Sequence, residues 1–198
     1  SDSKVNAKIV QNGCKGIWKD PLGPGKHPIN TDVYRVDMVP TNQITLSWAD
    51  ARSNAHALDS NLKTITLRTA DAFSVNMDVN VIIHIPMENA PKVIANQGSV
   101  ASLISQVLEP AISSHFRNAA QYIKALDLYT QRKELQQTAK EHIVEVLKEH
   151  FIDSKDTLIA DVVLPVELTK IVSDKQIAEQ EKATRIVQTQ AEDERRKL

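Results

Sequence analysis

The chain lacks most of the marks that assign a protein to a compartment or a chemistry at first reading. One cysteine, Cys14, stands in 198 residues, so no internal disulfide can form and the thiol content does not point to an oxidising compartment. Neither sign of charge is in excess, with 24 Lys and Arg against 25 Asp and Glu, which removes the electrostatic argument for a nucleic-acid partner. The longest mostly apolar run, residues 79–86, falls far short of the roughly 18 residues that span a bilayer as a helix. There is no initiator Met and no signal-peptide pattern, and the last residues form a charged helical run without a stop signal. The expectation is an excised, soluble piece of a longer protein, which leaves room for a removed anchor at either end.

Catalytic and metal motifs are missing as well. Gly23-Pro24-Gly25-Lys26 superficially suggests a phosphate loop, but Asp20 stands where that motif needs glycine and His27 where it needs Ser or Thr. Its prolines and glycines read as a turn. His142 and His150 are eight apart, about 12 Å along a helix, which is too far for one ion, and no HExxH spacing occurs. His84 and His115 read as structural histidines. No serine lies in a GxSxG elbow. The chain is therefore expected to be no enzyme and to carry no cofactor and no metal.

What is present is pattern. The length suffices for a real core. Three of the five glycines, Gly16, Gly23 and Gly25, fall in an N-terminal region that reads as β-rich, with a candidate strand at residues 17–19. Residues 33–39 alternate Val33, Arg35 and Asp37 against Tyr34, Val36 and Met38, the pattern of a half-buried strand. Residues 44–48 and 62–69 are shorter candidates. The clearest signal is Phe73, Val75, Met77, Val79, Val81, Ile83 and Ile85, with every second residue apolar until Pro86. The period then changes to that of a helix. From a Ser99 cap, Val100, Leu103, Ile104, Val107, Leu108, Ala111, Ile112 and Phe116 share one face, interrupted by Pro110, which should kink or divide the helix. Asp127 is the expected cap of a second helix reaching about His150, with Leu128, Leu135, Ala139, Ile143, Val146 and Leu147 inward. Residues 158–164 return to strand character.

From Ser173 onward there is no glycine or proline and about half the residues are charged, a composition of extended helices. Ile177, Thr184, Ala191 and Leu198 lie seven apart with Val187 between them, a thin coiled-coil seam. A helix this polar on all sides gains its order from neighbours.

This order of elements resembles the SPFH superfamily, also called band-7 or prohibitin-homology proteins, which includes stomatins, prohibitins, flotillins and the bacterial HflK/HflC pair. The residues that carry the resemblance are Gly23-Pro24-Gly25-Lys26-His27, Val33-Tyr34-Arg35-Val36-Asp37, the alternating strand of residues 75–85, and Arg132-Lys133-Glu134-Leu135. Leu164-Pro165 leading to Ala178-Glu179-Gln180-Glu181-Lys182-Ala183 completes it. One departure is Phe151-Ile152, where the family often has an aromatic residue followed by glycine.

The resemblance implies an α+β fold: a β-rich antiparallel N-terminal half, residues 1–86, a helix-helix-strand half, residues 87–172, with amphipathic helices packed on a small sheet, and an extended C-terminal helix, residues 173–198. It also implies a membrane-associated oligomeric scaffold that organises membrane microdomains or regulates client membrane proteins such as a protease or channel. The implied partners are further copies of itself or a related SPFH subunit, and membrane lipids through a segment outside this piece. The seam residues Ile177, Thr184, Val187, Ala191 and Leu198 are the expected oligomerisation contacts. Trp18 and Leu22 are either membrane-contact residues at an exposed loop or, for Trp18, part of the core. Cys14 is either an acylation site or a small residue beside a strand. The alternative function is a soluble adaptor that binds a protein partner through a sheet edge or the C-terminal helix.

Overall fold

A computed structural model describes residues 8–50 and 58–197, with the side chains of the last helix described through Thr189. The organising element is the strand with the strongest alternation, β5 (Ser74–His84). Its inward residues Val75, Met77, Val79, Val81 and Ile83 are fully buried, whereas Asn76, Asp78, Asn80 and His84 face the other way. One flank of β5 is shared by two short antiparallel strands. β3 (Ile44–Trp48) covers its C-terminal half, with Ile44 opposite Ile83 and Trp48 opposite Val79, and β4 (Ile65–Arg68) covers its N-terminal half, with Ile65 opposite Met77. The other flank is taken from Asn76 to His84 by antiparallel β6 (Asp153–Val163). The mixed α+β class thus follows from one two-residue period surrounded by helical stripes.

Strand β6 starts five residues before the expected one, because Asp153-Ser154-Lys155-Asp156 carries no apolar alternation yet pairs with Ile82, Ile83 and His84. Register shifts on β6 leave Lys155 and Ala160 opposite no residue of β5, so it pairs through two bulges.

Ahead of the sheet, β1 (Ile9–Val10) and β2 (Ile17–Trp18) form a short parallel pair seated on helix α1. Gly16 is required there. Its φ is +146°, and a Cβ would stand 3.0 Å from both the Lys8 carbonyl oxygen and a Val10 methyl. The strand expected over residues 33–39 does not form: a turn at residues 31–33 leads into irregular chain with no ladder partner.

The helices cover the buried sheet face. α1 (Ala90–Gln97) was not anticipated by the sequence pattern. Pro91 in its first turn and Gly98 just past its end, at φ +79°, mark its limits. Ser99 caps the next helix as expected, its Oγ accepting from the Ser102 N–H at 3.1 Å. That helix runs through α2 (Val100–Leu103), a π-helical turn at Ile104–Leu108, and α3 (Glu109–Ala120). Pro110 therefore widens the helix and does not divide it: its missing N–H and bulky ring are accommodated by the preceding π turn, where the Glu109 N–H donates to Ile104.

The second helical region divides into α4 (Ala125–Thr130) and α5 (Arg132–Glu149), separated at Gln131. Asp127 lies within the first turn of α4 and is not its cap. The N–H of Ala125 donates instead to Asp71, on the β4–β5 turn, at 3.1 Å. Leu128, Leu135, Ala139, Ile143 and Leu147 are buried as the stripe requires, with Val146 half-buried. At the end of α5, Phe151 takes φ +66° while the Ile152 N–H reaches Leu147 and the Phe151 N–H reaches Lys148. This is the reciprocal bonding of a Schellman cap, at a position where glycine is the unstrained residue. The aromatic itself adopts the left-handed conformation here.

Finally, α6 (Val166–Lys197) runs for 32 residues and begins directly after Pro165, seven residues before Ser173.

Candidate assembly and membrane-contact surfaces

Helix α6 has almost no inner face. Leu168 is its one buried hydrophobic residue among the described side chains, and its principal contact with the body is α4. Ile177 is 52% exposed and Val187 63% exposed. Thr184 returns its hydroxyl to the Gln180 carbonyl at 2.9 Å, an intrahelical bond. At 100° per residue, Ile177, Thr184, Val187 and Ala191 fall within one narrow stripe. The structure thus sets Ile177, Thr184 and Val187 on solvent-facing helix. The side chain of Ala191 and all of Leu198 lie outside the described residues.

The second surface is the N-terminal loop region. Trp18 is half-buried. Its ring meets Tyr34 edge-on at 5.2 Å between centroids, and its Nε1 donates to the Cys14 carbonyl at 3.2 Å. Leu22 is 46% exposed. The turn that follows lies beside Met87, whose methyl is 3.8 Å from where a Cβ on Gly23 would stand. Exposed Leu22, Tyr34 and Met87 therefore extend the loop surface expected from Trp18 and Leu22 alone. No sequence signal could have added Met87, which reaches the loop only because the N-terminal pair seats on α1. Cys14 is exposed beside this region.

The structure does not bring His142 and His150 together. His142 and His150 go to different partners: His142 stacks on His115 from α3, with centroids 4.6 Å apart and planes 18° from parallel, and His150 faces Gln97. Near-parallel stacked rings do not aim two nitrogen lone pairs at one ion. Burial, followed by the nearby His142, holds His115 below the usual histidine value, so the His115 ring favours its neutral form. Among the described residues no group of three or more His, Cys, Asp or Glu is placed to hold a metal.

Arg132 has a structural task. It donates to the carbonyls of Ile159 and Ala160 on the outer edge of β6, and one turn later Gln136 accepts the Ile159 N–H at 3.1 Å. A further turn on, Lys140 pairs with Asp156 at 3.1 Å. Three side chains at four-residue spacing seal the sheet edge and take up the unpaired carbonyl of the Ala160 bulge. The middle of this edge is therefore covered by α5.

A family model for the SPFH domain / Band 7 family matches residues 5–195. The chain belongs to that family. No curated protein matches it. SPFH proteins are generally non-enzymatic, membrane-associated and typically oligomeric, and membership is consistent with a membrane-associated scaffold role. No helix among the described residues is long and apolar enough to cross a membrane.

Proposed function

We propose that this protein is a membrane-associated oligomeric scaffold in which α6 bundles with the helices of neighbouring copies or of a related SPFH subunit. Through that assembly it organises membrane microdomains or regulates a client membrane protein. The observation that carries the reading is a 32-residue helix whose described side chains bury only Leu168 among its hydrophobics. A helix with so little apolar contact has weak intrinsic support in water and gains order by association. Ile177, Thr184, Val187, Ala191 and Leu198 form the seam, and Trp18 and Leu22 approach the lipid interface. The division into residues 1–86, 87–172 and 173–198 expresses this separation of a self-supporting body from an associating helix.

Deleting residues 173–198 should lower self-association in sedimentation while leaving the cooperative unfolding of the body intact. An unchanged monomer with and without the helix, across concentration, overturns the reading for this region. Flotation of the full-length protein with liposomes tests the membrane part. A protein that stays with the soluble fraction favours the adaptor alternative.

A further inference from the structure

Residues 33–39 have the side-chain pattern of a strand, but they leave a turn at residues 31–33 as irregular chain without a ladder partner. Val33 and Tyr34 donate their N–H groups to the Asn30 carbonyl, but the backbone N–H and C=O groups of residues 35–39 have no hydrogen-bond partner among the described residues. The side chains are held out: Val33, Tyr34, Val36 and Met38 are exposed, Met38 at 87%. Arg35 pairs with Asp37 at 2.7 Å and touches the Gly98 carbonyl at 3.4 Å. Unpaired backbone beside exposed apolar side chains is a template for strand addition.

The order Val33-Tyr34-Arg35-Val36-Asp37-Met38-Val39 also identifies the partner. When the segment is laid antiparallel on itself about Val36, Arg35 faces Asp37 of the other copy, and Asp37 faces its Arg35. Tyr34 meets Met38 and Val36 meets itself, and at the ends Val33 meets Val39, which is half-buried against the core of its own chain. The two charged pairs fall on one face with the valine pairs, and Tyr34, Val36 and Met38 fall on the other. Opposite-charge, aromatic–aliphatic and β-branched cross-strand pairs are the favourable ones. A register slipped by one residue sets charged residues against apolar ones.

We propose that residues 33–39 pair antiparallel with the same segment of a second copy of this chain, with Val36 at the two-fold axis. This contact stands apart from α6 and does not depend on it. It joins copies in pairs, whereas a helical seam joins them along a bundle.

The test uses a Cys14→Ser chain, which has no thiol. Adding Val36→Cys places two thiols opposite each other, within the roughly 4.4–6.8 Å Cα separation of a disulfide. Mild oxidation should yield a covalent dimer. Val33→Cys in the same background should not, because the two copies of that position lie about 20 Å apart in this register. Equal dimer yields from the two variants overturn the proposal. A charge test separates this pairing from the Arg35–Asp37 bond within one chain. Arg35→Asp and Asp37→Arg chains should each lose Val36→Cys cross-linking by about tenfold. An equimolar mixture should recover it, because each chain supplies the charges the other needs. A mixture no better than the single variants overturns the antiparallel register. Repeating the comparison with Ile177→Asp and Val187→Asp present should leave the dimer yield unchanged, and loss of the dimer there would instead assign the contact to α6.

Discussion

Helices α5 and α6 are both rich in Glu, Lys and Gln, yet one is sealed into the body and the other stands off it. α5 spaces Leu135, Ala139, Ile143 and Leu147 at four-residue steps, and all four are buried. On the adjoining row Arg132, Gln136 and Lys140, again at four-residue steps, bind the edge of β6. α6 is nearly twice as long and buries Leu168 among its described hydrophobics. Charge content therefore does not decide whether a helix packs. The spacing of a few apolar residues decides it, together with a polar row that meets a strand edge.

The comparison breaks most readily at Leu147. Leu147→Ala should cost about 2–5 kcal/mol in urea unfolding, because the side chain is fully buried between α5 and the sheet. Arg132→Ala comes next, at about 1–3 kcal/mol, since it strips two edge carbonyls of their donor. It should also raise aggregation, visible by light scattering, as the β6 edge opens.

Asp71→Asn is expected to cost about 1 kcal/mol, typical of a lost helix cap. Its pH dependence sharpens the assignment. The Thr69 hydroxyl holds the Asp71 carboxyl below its ordinary value; burial opposes it, and the Ala125 N–H and Lys124 add to the lowering. The unfolded chain therefore takes up the proton first as pH falls, so the stabilisation is present above the usual aspartate range and fades as pH drops through the folded value. The gap between wild type and Asp71→Asn should close in acid unfolding curves, and a constant gap would break this account.

The smallest effect belongs to α6. Ile177→Asp with Val187→Asp should shift unfolding of the body by no more than about 0.5 kcal/mol, since both residues are exposed. Self-association measured by sedimentation should nonetheless fall. A large loss of stability would show that α6 belongs to the body.

Several features were legible in the sequence because their cause is local. The alternation through β5, the Ser99 cap and the stripe of α5 each need only neighbours within a few residues, and each stands where the pattern put it. Where pattern failed, the deciding partner was distant. Residues 33–39 alternate as a strand should, but alternation describes two faces and supplies no neighbouring strand. Asp127 had the right type for a cap, yet α4 starts earlier because Asp71, 54 positions away, reaches its first N–H. Of the candidate surfaces, the exposure of Ile177 and Val187 followed from composition, whereas the approach of Met87 to the N-terminal loops did not.

By itself the sequence determined the two periods, the turn chemistry between them and the polar character of the last helix, because these depend on side chains close along the chain. Only the tertiary structure decided which strands share β5, how Arg132, Gln136 and Lys140 close its outer neighbour, and that residues 33–39 remain unpaired. Those outcomes depend on which backbone groups meet across long separations, and hydrogen-bond partners of that kind leave no periodic trace in the chain.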